Sequence, residues 1–428
     1  MKLLYIVLDG ASDGLNPPKS SLGTAVKPHI DSLAAHAACG LVYTVGKGVA
    51  PESDEAVISI LGYDPEKYYT GRGPLEALGA GVEFKSGQVA LRANFATVDP
   101  STMRILDRRA GREITREEAA GLAKAVDGMP LDGGRGRARF VPTVAHRGVL
   151  ILEHSEVKLS GNITNTDPAY ERVGKMSKAR SRFEPFVAKS AAMDPSDPGA
   201  VKAAEMLNEF TEKAVRILDS HPVNEARRRR GLPPANAILA RDAGDSLPQA
   251  PPISSLFGLR FASVTEMPVE RGIARAFGLY DLRYDVEGKT KEEILSEEAD
   301  LVAGSIGKYD AIYVHLKGPD EPGHDGDYEA KRRAIELIDE HFFGRLLGKI
   351  DLSDTLIIVT SDHSTPWHLK SHSDDPVPIM YSNPGLRESH RVFDEAECAK
   401  GSLGVIERGT RIIPIALELM AALGKRSP

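Results

Sequence analysis

Three short apolar runs, each followed closely by a carboxylate, constrain this chain more than any other feature. Leu3-Leu4-Tyr5-Ile6-Val7-Leu8 stops at Asp9-Gly10. Ala311-Ile312-Tyr313-Val314-His315-Leu316 is followed four residues later by Asp320, and Leu356-Ile357-Ile358-Val359-Thr360-Ser361 leads directly into Asp362. Runs that are short, continuous and rich in branched residues read as strands buried on both faces, the signature of a parallel sheet. Residues 236–241 and 259–264 are further strand candidates. Helical patterns lie between them. Residues 28–38 carry Ile30, Leu33, Ala34 and Ala37 on one face, and Gly40 is read as the glycine that stops the helix. Residues 327–347 place Ala334, Ile335, Ile338, Phe342 and Leu346 on one stripe. Strands alternating with helices predict a doubly wound α/β fold with a mostly parallel sheet.

The stretch from about residue 83 to 194 breaks this rhythm. It has alternating segments such as 89–98, a Gly/Arg-rich loop at 133–137 and a further strand around 149–152. That pattern predicts an inserted α+β domain over residues 85–189, dividing a core made of 1–84 and 190–428. A polar, Pro-containing stretch at 192–198 and a helix over 201–218 follow the insert. Hydrophobic residues at 41% and charged residues at 27% exclude collagen, coiled coil and wholesale disorder.

Lys and Arg total 54 against 61 Asp and Glu, a formal charge of −7 that argues against a nucleic-acid partner. The four arginines at 227–230 are the exception. They read more readily as the solvated end of a helix or loop before Gly231-Leu232-Pro233-Pro234 than as a nucleic-acid patch. Cys39 and Cys398 could pair, but two thiols in 428 residues suit a reducing compartment. The first apolar run is too short for a signal peptide, and no window supplies the roughly 20 apolar residues of a membrane span. The expectation is a cytoplasmic protein with no membrane partner.

Ligands of open α/β sheets bind outside the carboxyl ends of the strands. Asp9, Asp320 and Asp362 sit at three such ends, although an aspartate after a strand is often only a turn or helix cap. The histidines beside them add a second donor type: Asp320 and His324 are four apart across Pro322-Gly323, Asp362 adjoins His363, and His372 follows in a loop. Mixed oxygen and imidazole donors suit zinc or manganese better than calcium. His315 reads as a core histidine, and His368 has no partner supplied by spacing. Ser53 precedes an apolar helical stretch through Ile58 and Leu61. It is either a helix cap or, at a helix N-terminus that favours phosphate, a nucleophile needing activation.

Taken together, Asp9-Gly10, Pro51-Glu52-Ser53-Asp54, Asp320 with His324, Asp362-His363 and His372 resemble the dimetal site of the alkaline phosphatase superfamily. The segments at 69–77, 92–99, 107–112 and 318–325 narrow the resemblance to the archaeal-type cofactor-independent phosphoglycerate mutases, and the match runs from Lys2 past Ile412. The resemblance implies an alkaline-phosphatase-like core with an inserted lid. It implies interconversion of 3-phosphoglycerate and 2-phosphoglycerate through a phosphoserine on Ser53, with no bisphosphoglycerate. It also implies two divalent ions, manganese first, with cobalt, zinc or magnesium as alternatives. One is held by Asp9, Asp362, His363 and the Ser53 oxygen, the other by Asp320, His324 and His372. In the lid, Arg92, Asn94, Asp107, Arg108, Arg109 and Arg112 are the candidates for gripping carboxylate and phosphate. A phosphatase or phosphopentomutase on the same dimetal core is the rival enzyme. A non-catalytic metal- or phosphate-binding protein is the rival from another class.

Overall fold

The computed structural model describes residues 1–180 and 182–424. Ser181 of the expected insert and residues 425–428 of the expected core lie outside the described residues. The chain forms two compact units, one made of Met1–Tyr69 with Gln249–Pro428, the other of Thr70–Pro248.

The first unit is built on an eight-stranded sheet. In spatial order its strands are Tyr280–Asp281, Phe261–Thr265, Ala311–Leu316, Lys2–Leu8, Thr355–Thr360, Val377–Ser382, Ala37–Val42 and Val405–Ile406. The pairs from Tyr280–Asp281 through Thr355–Thr360 are all parallel, and only Val377–Ser382 runs against its neighbours. Strands lie on both sides of Lys2–Leu8, joined by crossovers, so the doubly wound, mostly parallel sheet expected from the sequence is the one observed. Alternation sends Leu4, Ile6 and Leu8 into a core shared with helices Lys291–Ser305 and Tyr328–Leu337. On the opposite face, the Tyr5 hydroxyl donates to the Ile60 carbonyl and the Tyr381 hydroxyl to that of Ile412, tying down helices Ser53–Ile60 and Ile412–Gly424. Each central strand is buried along its whole length, which is why these runs carry no polar alternation.

One helix expectation is corrected here. Helix Pro28–Ala34 ends early, and Ala37–Val42 is a strand with Gly40 inside it, opposite Ile379. Gly40 is there for close approach, since a Cβ would lie 2.7 Å from the Gly404 carbonyl oxygen.

The second unit is larger than the 85–189 insert expected. Helix Pro198–Asp219 and strand Ala237–Gly244 belong to it, because the helix buries Ala203, Leu207, Phe210 and Ala214 in its core. Ala237–Gly244 pairs antiparallel with Val89–Val98 and is not a strand of the parallel sheet. The sheet continues through Arg147–His154, Gly136–Pro142 and Met129–Leu131, all antiparallel. The α+β character expected for this region is observed. The run of arginines at 227–230 closes helix Pro222–Arg229. Arg227 is fully buried and bonded to Glu118 and to the carbonyls of Ala110, Glu113 and Pro233. Arg228 pairs with Asp219 and Arg230 with Glu118. No helix of the described residues is long and apolar enough to cross a membrane.

Candidate active site

Three adjacent parallel strands end level at one edge of the first unit's sheet, Val7 standing beside both His315 and Thr360. Asp9 follows Lys2–Leu8, Asp362 follows Thr355–Thr360 after one residue, and Asp320 opens the short helix Asp320–Asp325 beyond Ala311–Leu316. Adjacency of these strands is what turns three separate carboxylates into neighbours. Gly10, at φ +59°, lets the chain turn immediately after Asp9; a Cβ there would sit 2.7 Å from Thr365 Oγ1 and 2.8 Å from Asp320 Oδ1.

Two groups of donors result. In the first, Asp9, Asp362 and His363 present ligand atoms within 4.8 Å of one another. His363 Nε2 lies 3.6 Å from Asp9 Oδ1 and 3.3 Å from Asp362 Oδ2. Both of those oxygens are buried without a hydrogen-bond partner. In the second group, Asp320 Oδ1 is 3.5 Å from the Nε2 atoms of both His324 and His372. The Nδ1 atoms of these two rings face carbonyl oxygens, Lys370 at 3.2 Å and Pro51 at 2.7 Å. A carbonyl only accepts, so each Nδ1 carries a proton and each Nε2 is the atom turned inward. Those two Nε2 atoms are 3.1 Å apart, close enough to share a proton or to face one cation. The rings of His363 and His372 stack at 3.8 Å and bring the two groups side by side.

Ser53 joins the first group. It is the first residue of helix Ser53–Ile60, with Glu52 in the cap position. Its hydroxyl lies 3.1 Å from His363 Nε2, so it faces the carboxylates and does not cap the helix. All seven residues expected at the dimetal site therefore converge, and all belong to the first unit.

The carboxylates and imidazoles of the site shift one another's charge states. Burial, then the neighbouring Asp9, pushes Asp362 up to about 7. Burial would raise Asp9 too, but Lys317, with His315 behind it, holds it well below the usual carboxylate range. Asp320 is pushed up by burial and by Asp9, yet its histidines bring it down. Burial disfavours charge on His372, but its contact with Asp320 dominates and raises it to about 9. In the first group, buried and unpartnered carboxylate oxygens beside an imidazole fit a divalent cation. In the second, one carboxylate and two converging imidazoles do, and mixed oxygen and nitrogen donors suit manganese or zinc better than calcium.

Several residues here carried no sequence signal. Lys317 Nζ bridges Asp9 Oδ2 at 2.9 Å and the buried Glu270 at 2.6 Å. The Thr365 hydroxyl touches both Asp320 and His363. Lys331, fully buried, donates to Asp13 and to the carbonyls of Ser12 and Thr365, pinning the turns after Asp9 and His363. His315 is only half a satisfied core histidine. Its Nδ1 meets the Tyr313 hydroxyl at 2.8 Å, while Nε2, without a hydrogen bond, lies 3.7 Å from Asp9 and from Asp362.

The remaining six candidates lie in the second unit. Along Val89–Val98, Leu91, Ala93 and Phe95 face the core, so Arg92 and Asn94 share the other face. Register puts Arg241 opposite Arg92 and Arg147 opposite Asn94, which concentrates positive charge there. Arg72 and Arg92 both approach Glu76 Oε1, at 3.0 and 3.8 Å. Arg241 lies over the Tyr170 ring at 3.5 Å. Burial, then Arg72 and Arg241, drives Arg92 down to about 9, and burial with Arg147 and Arg109 drives His146 down to about 3. This face suits anions. Arg108 is engaged by buried Asp167 through two bonds, of 3.0 and 2.6 Å. Asp107 accepts from the backbone of Arg109 and Gly111, and Asn94 donates to the Arg108 carbonyl. Those two side chains shape the 107–112 turn, in which Ala110 and Arg112 have positive φ. Arg72, Arg147 and Arg241 are additions to the expected set. Arg72 falls inside the 69–77 segment, whereas Arg147 had no local pattern to mark it.

A doubly wound α/β unit that gathers two carboxylate–imidazole groups and a helix-terminal serine beside its strand ends defines the class: an α/β fold whose donors suit divalent cations. The profile of the 2,3-bisphosphoglycerate-independent phosphoglycerate mutases matches residues 34–224. A protein of that name from Aeropyrum pernix is 56% identical over 98% of this chain and 100% of its own length. Another from Methanoculleus marisnigri is 38% identical, covering 98% of this chain and 97% of its own. Among solved structures, a Pyrococcus horikoshii protein superposes with a TM-score of 0.73 at 30% identity, covering 98% of this chain and 97% of that one. The cofactor-independent phosphoglycerate mutase of Thermoplasma acidophilum gives a TM-score of 0.58 at 30% identity, covering 98% and 100%. The chain belongs to the 2,3-bisphosphoglycerate-independent phosphoglycerate mutase family and, with it, to the isomerases.

Proposed function

We propose that this chain interconverts 3-phosphoglycerate and 2-phosphoglycerate without bisphosphoglycerate, moving the phosphoryl group onto Ser53 and back to the other hydroxyl of the same glycerate. The observation that carries the reading is the Ser53 hydroxyl 3.1 Å from His363 Nε2, beside two buried and unpartnered carboxylate oxygens. Asp9, Asp362, His363 and Ser53 would hold one divalent ion, and Asp320, His324 and His372 the other. When bound, such ions lower the pKa of a serine hydroxyl and stabilise charge on phosphoryl oxygens in an in-line displacement.

The chain's own residues do the rest. Ser53 Oγ attacks phosphorus from the first turn of a helix, where the dipole favours the incoming dianion. Lys317 keeps Asp9 ionised as the substrate charge arrives. In the second unit, Arg92, Arg109, Arg112 and Arg241 offer guanidinium groups to the substrate carboxylate and phosphate, while Asn94 and Asp107 hold the turn that carries Arg108 and Arg109. In this reading the second unit is the lid that keeps glycerate bound and water out during the phosphoserine stage.

The test is a coupled assay on 3-phosphoglycerate with bisphosphoglycerate withheld. Chelator-treated chain is expected to be inactive and to recover with manganese or cobalt, and Ser53→Ala to show no turnover and no trapped phosphoserine. An active Ser53→Ala chain overturns the mechanism, and release of inorganic phosphate without 2-phosphoglycerate makes the chain a phosphatase.

A further inference from the structure

We infer that Thr365 is a positioning residue that ties the two donor groups together: its single hydroxyl orients Asp320 in one and fixes the ring tautomer of His363 in the other. The inference rests on the reading of both groups as divalent-ion sites. A threonine hydroxyl has one proton to donate and lone pairs to accept with. Thr365 Oγ1 lies 2.7 Å from Asp320 Oδ1 and 3.0 Å from His363 Nδ1. The carboxylate only accepts, so the threonine proton goes to Asp320. The same oxygen must then accept from His363 Nδ1–H. With its proton on Nδ1, His363 turns an Nε2 lone pair toward Asp9, Asp362 and Ser53.

For His324 and His372, backbone carbonyls perform this service. His363 alone among the three candidate imidazole ligands relies on a side chain, and that side chain also touches the other group. Outer hydrogen bonds of this kind set the orientation and basicity of metal-binding histidines, and their loss costs about 10- to 100-fold in metal affinity.

The position is built to hold the hydroxyl still. Thr365 is fully buried. Its N–H donates to the Ser12 carbonyl at 3.0 Å, and its own carbonyl accepts from Lys331 Nζ at 2.7 Å. Two glycines wall it in: a Cβ on Gly10 would come within 2.7 Å of Oγ1, and one on Gly323 within 2.6 Å of the carbonyl oxygen.

The experiment is a Mn2+ titration of the full chain, stripped by chelator, followed by calorimetry. Wild type is expected to show two saturable sites. Thr365→Val, which keeps the shape and deletes the hydroxyl, is expected to weaken both by about 10- to 100-fold, and Thr365→Ser to restore both. The 15N shifts of the His363 ring, assigned by their loss in His363→Gln, supply a readout that a packing defect does not move. The ring is expected to be Nδ1-protonated in wild type and mixed in Thr365→Val. If Thr365→Val does not fold, Thr365→Ala gives the same two readouts. Two wild-type sites left intact in the hydroxyl-less variant, or only one of them weakened, overturn this inference alone. A wild-type chain without two saturable sites overturns the metal reading, and this inference with it.

Discussion

Lys317 shows how much of the site's energy lies in residues that are not ligands. Its ammonium is shared by Asp9 and Glu270, both buried, and burial alone would depress a lysine that these carboxylates instead hold charged. Removing one partner of a buried ion pair costs roughly 3–5 kcal/mol, because the other charge is left uncompensated. Lys317→Met is therefore expected to lower the melting temperature of the chelator-treated chain sharply, and much less with Mn2+ present, since a cation then takes over part of the neutralisation of Asp9. Equal destabilisation in both states would refute this account. Gly10 makes a steric case. Its φ of +59° and the 2.7–2.8 Å that would separate a Cβ from Thr365 and Asp320 mean Gly10→Ala should cost about 1–3 kcal/mol. Urea unfolding would measure it. At this scale the sequence showed Asp9, Asp320, Asp362 and the histidines, because ligands must be particular residue types at strand ends. Lys317, Glu270 and Thr365 are ordinary residue types, and nothing local marks them.

The arginine run and the displaced elements belong to the next scale. Of the four arginines, Arg227 is buried against Glu118 and three carbonyls, whereas Arg229 is exposed. Arg227→Ala is expected to destabilise by about 3–5 kcal/mol and Arg229→Ala by no more than about 0.5 kcal/mol. Thermal melts of the two variants would show whether the run is one structural pin with exposed company. Comparable effects would instead give all four a common role. The same scale explains why residues 37 and 38 read as the end of a helix and Gly40 as its stop. Ala37, Ala38, Cys39 and Gly40 have no strong preference of their own, and pairing with Val377–Ser382 decided the matter. Residues 236–241 read as a strand, and a strand forms over Ala237–Gly244, but partner choice is non-local, and it placed them in the second unit's sheet.

For the whole molecule, stability and pH are coupled through a buried group outside the two donor groups. Glu298 is fully buried on helix Lys291–Ser305, with Oε1 bonded by the Tyr284 hydroxyl and Oε2 unpartnered. Burial pushes it from 4.5 to about 7. Between those values the folded chain binds the proton that the unfolded chain has released, so stability falls as pH rises through the window and levels off above it. A displacement of that size is worth about 3 kcal/mol. Glu298→Gln is expected to raise the melting temperature at pH 8 and to leave it nearly unchanged at pH 4. A pH-independent effect would exclude the carboxyl as the cause. Metal removal acts on the whole fold as well: ions that bind only the native state add stability by mass action, so chelator should lower the melting temperature of the wild type.

By itself, the sequence determined the doubly wound α/β architecture, the presence of a second α+β unit, and the seven residues that converge at the strand ends. The first two follow from unbroken apolar runs that buried strands satisfy and from the change of rhythm after them. The third follows from carboxylates and histidines near strand ends together with the family resemblance, which alone placed Ser53 and His372 among them. Tertiary structure alone decided where the two units divide, which strands lie side by side, and which neutral or basic side chains hold the site in place. Those outcomes depend on contacts between residues hundreds of positions apart, such as Asp9 with Asp362 or Ser53 with His363. Burial and strand register, not residue type, select them.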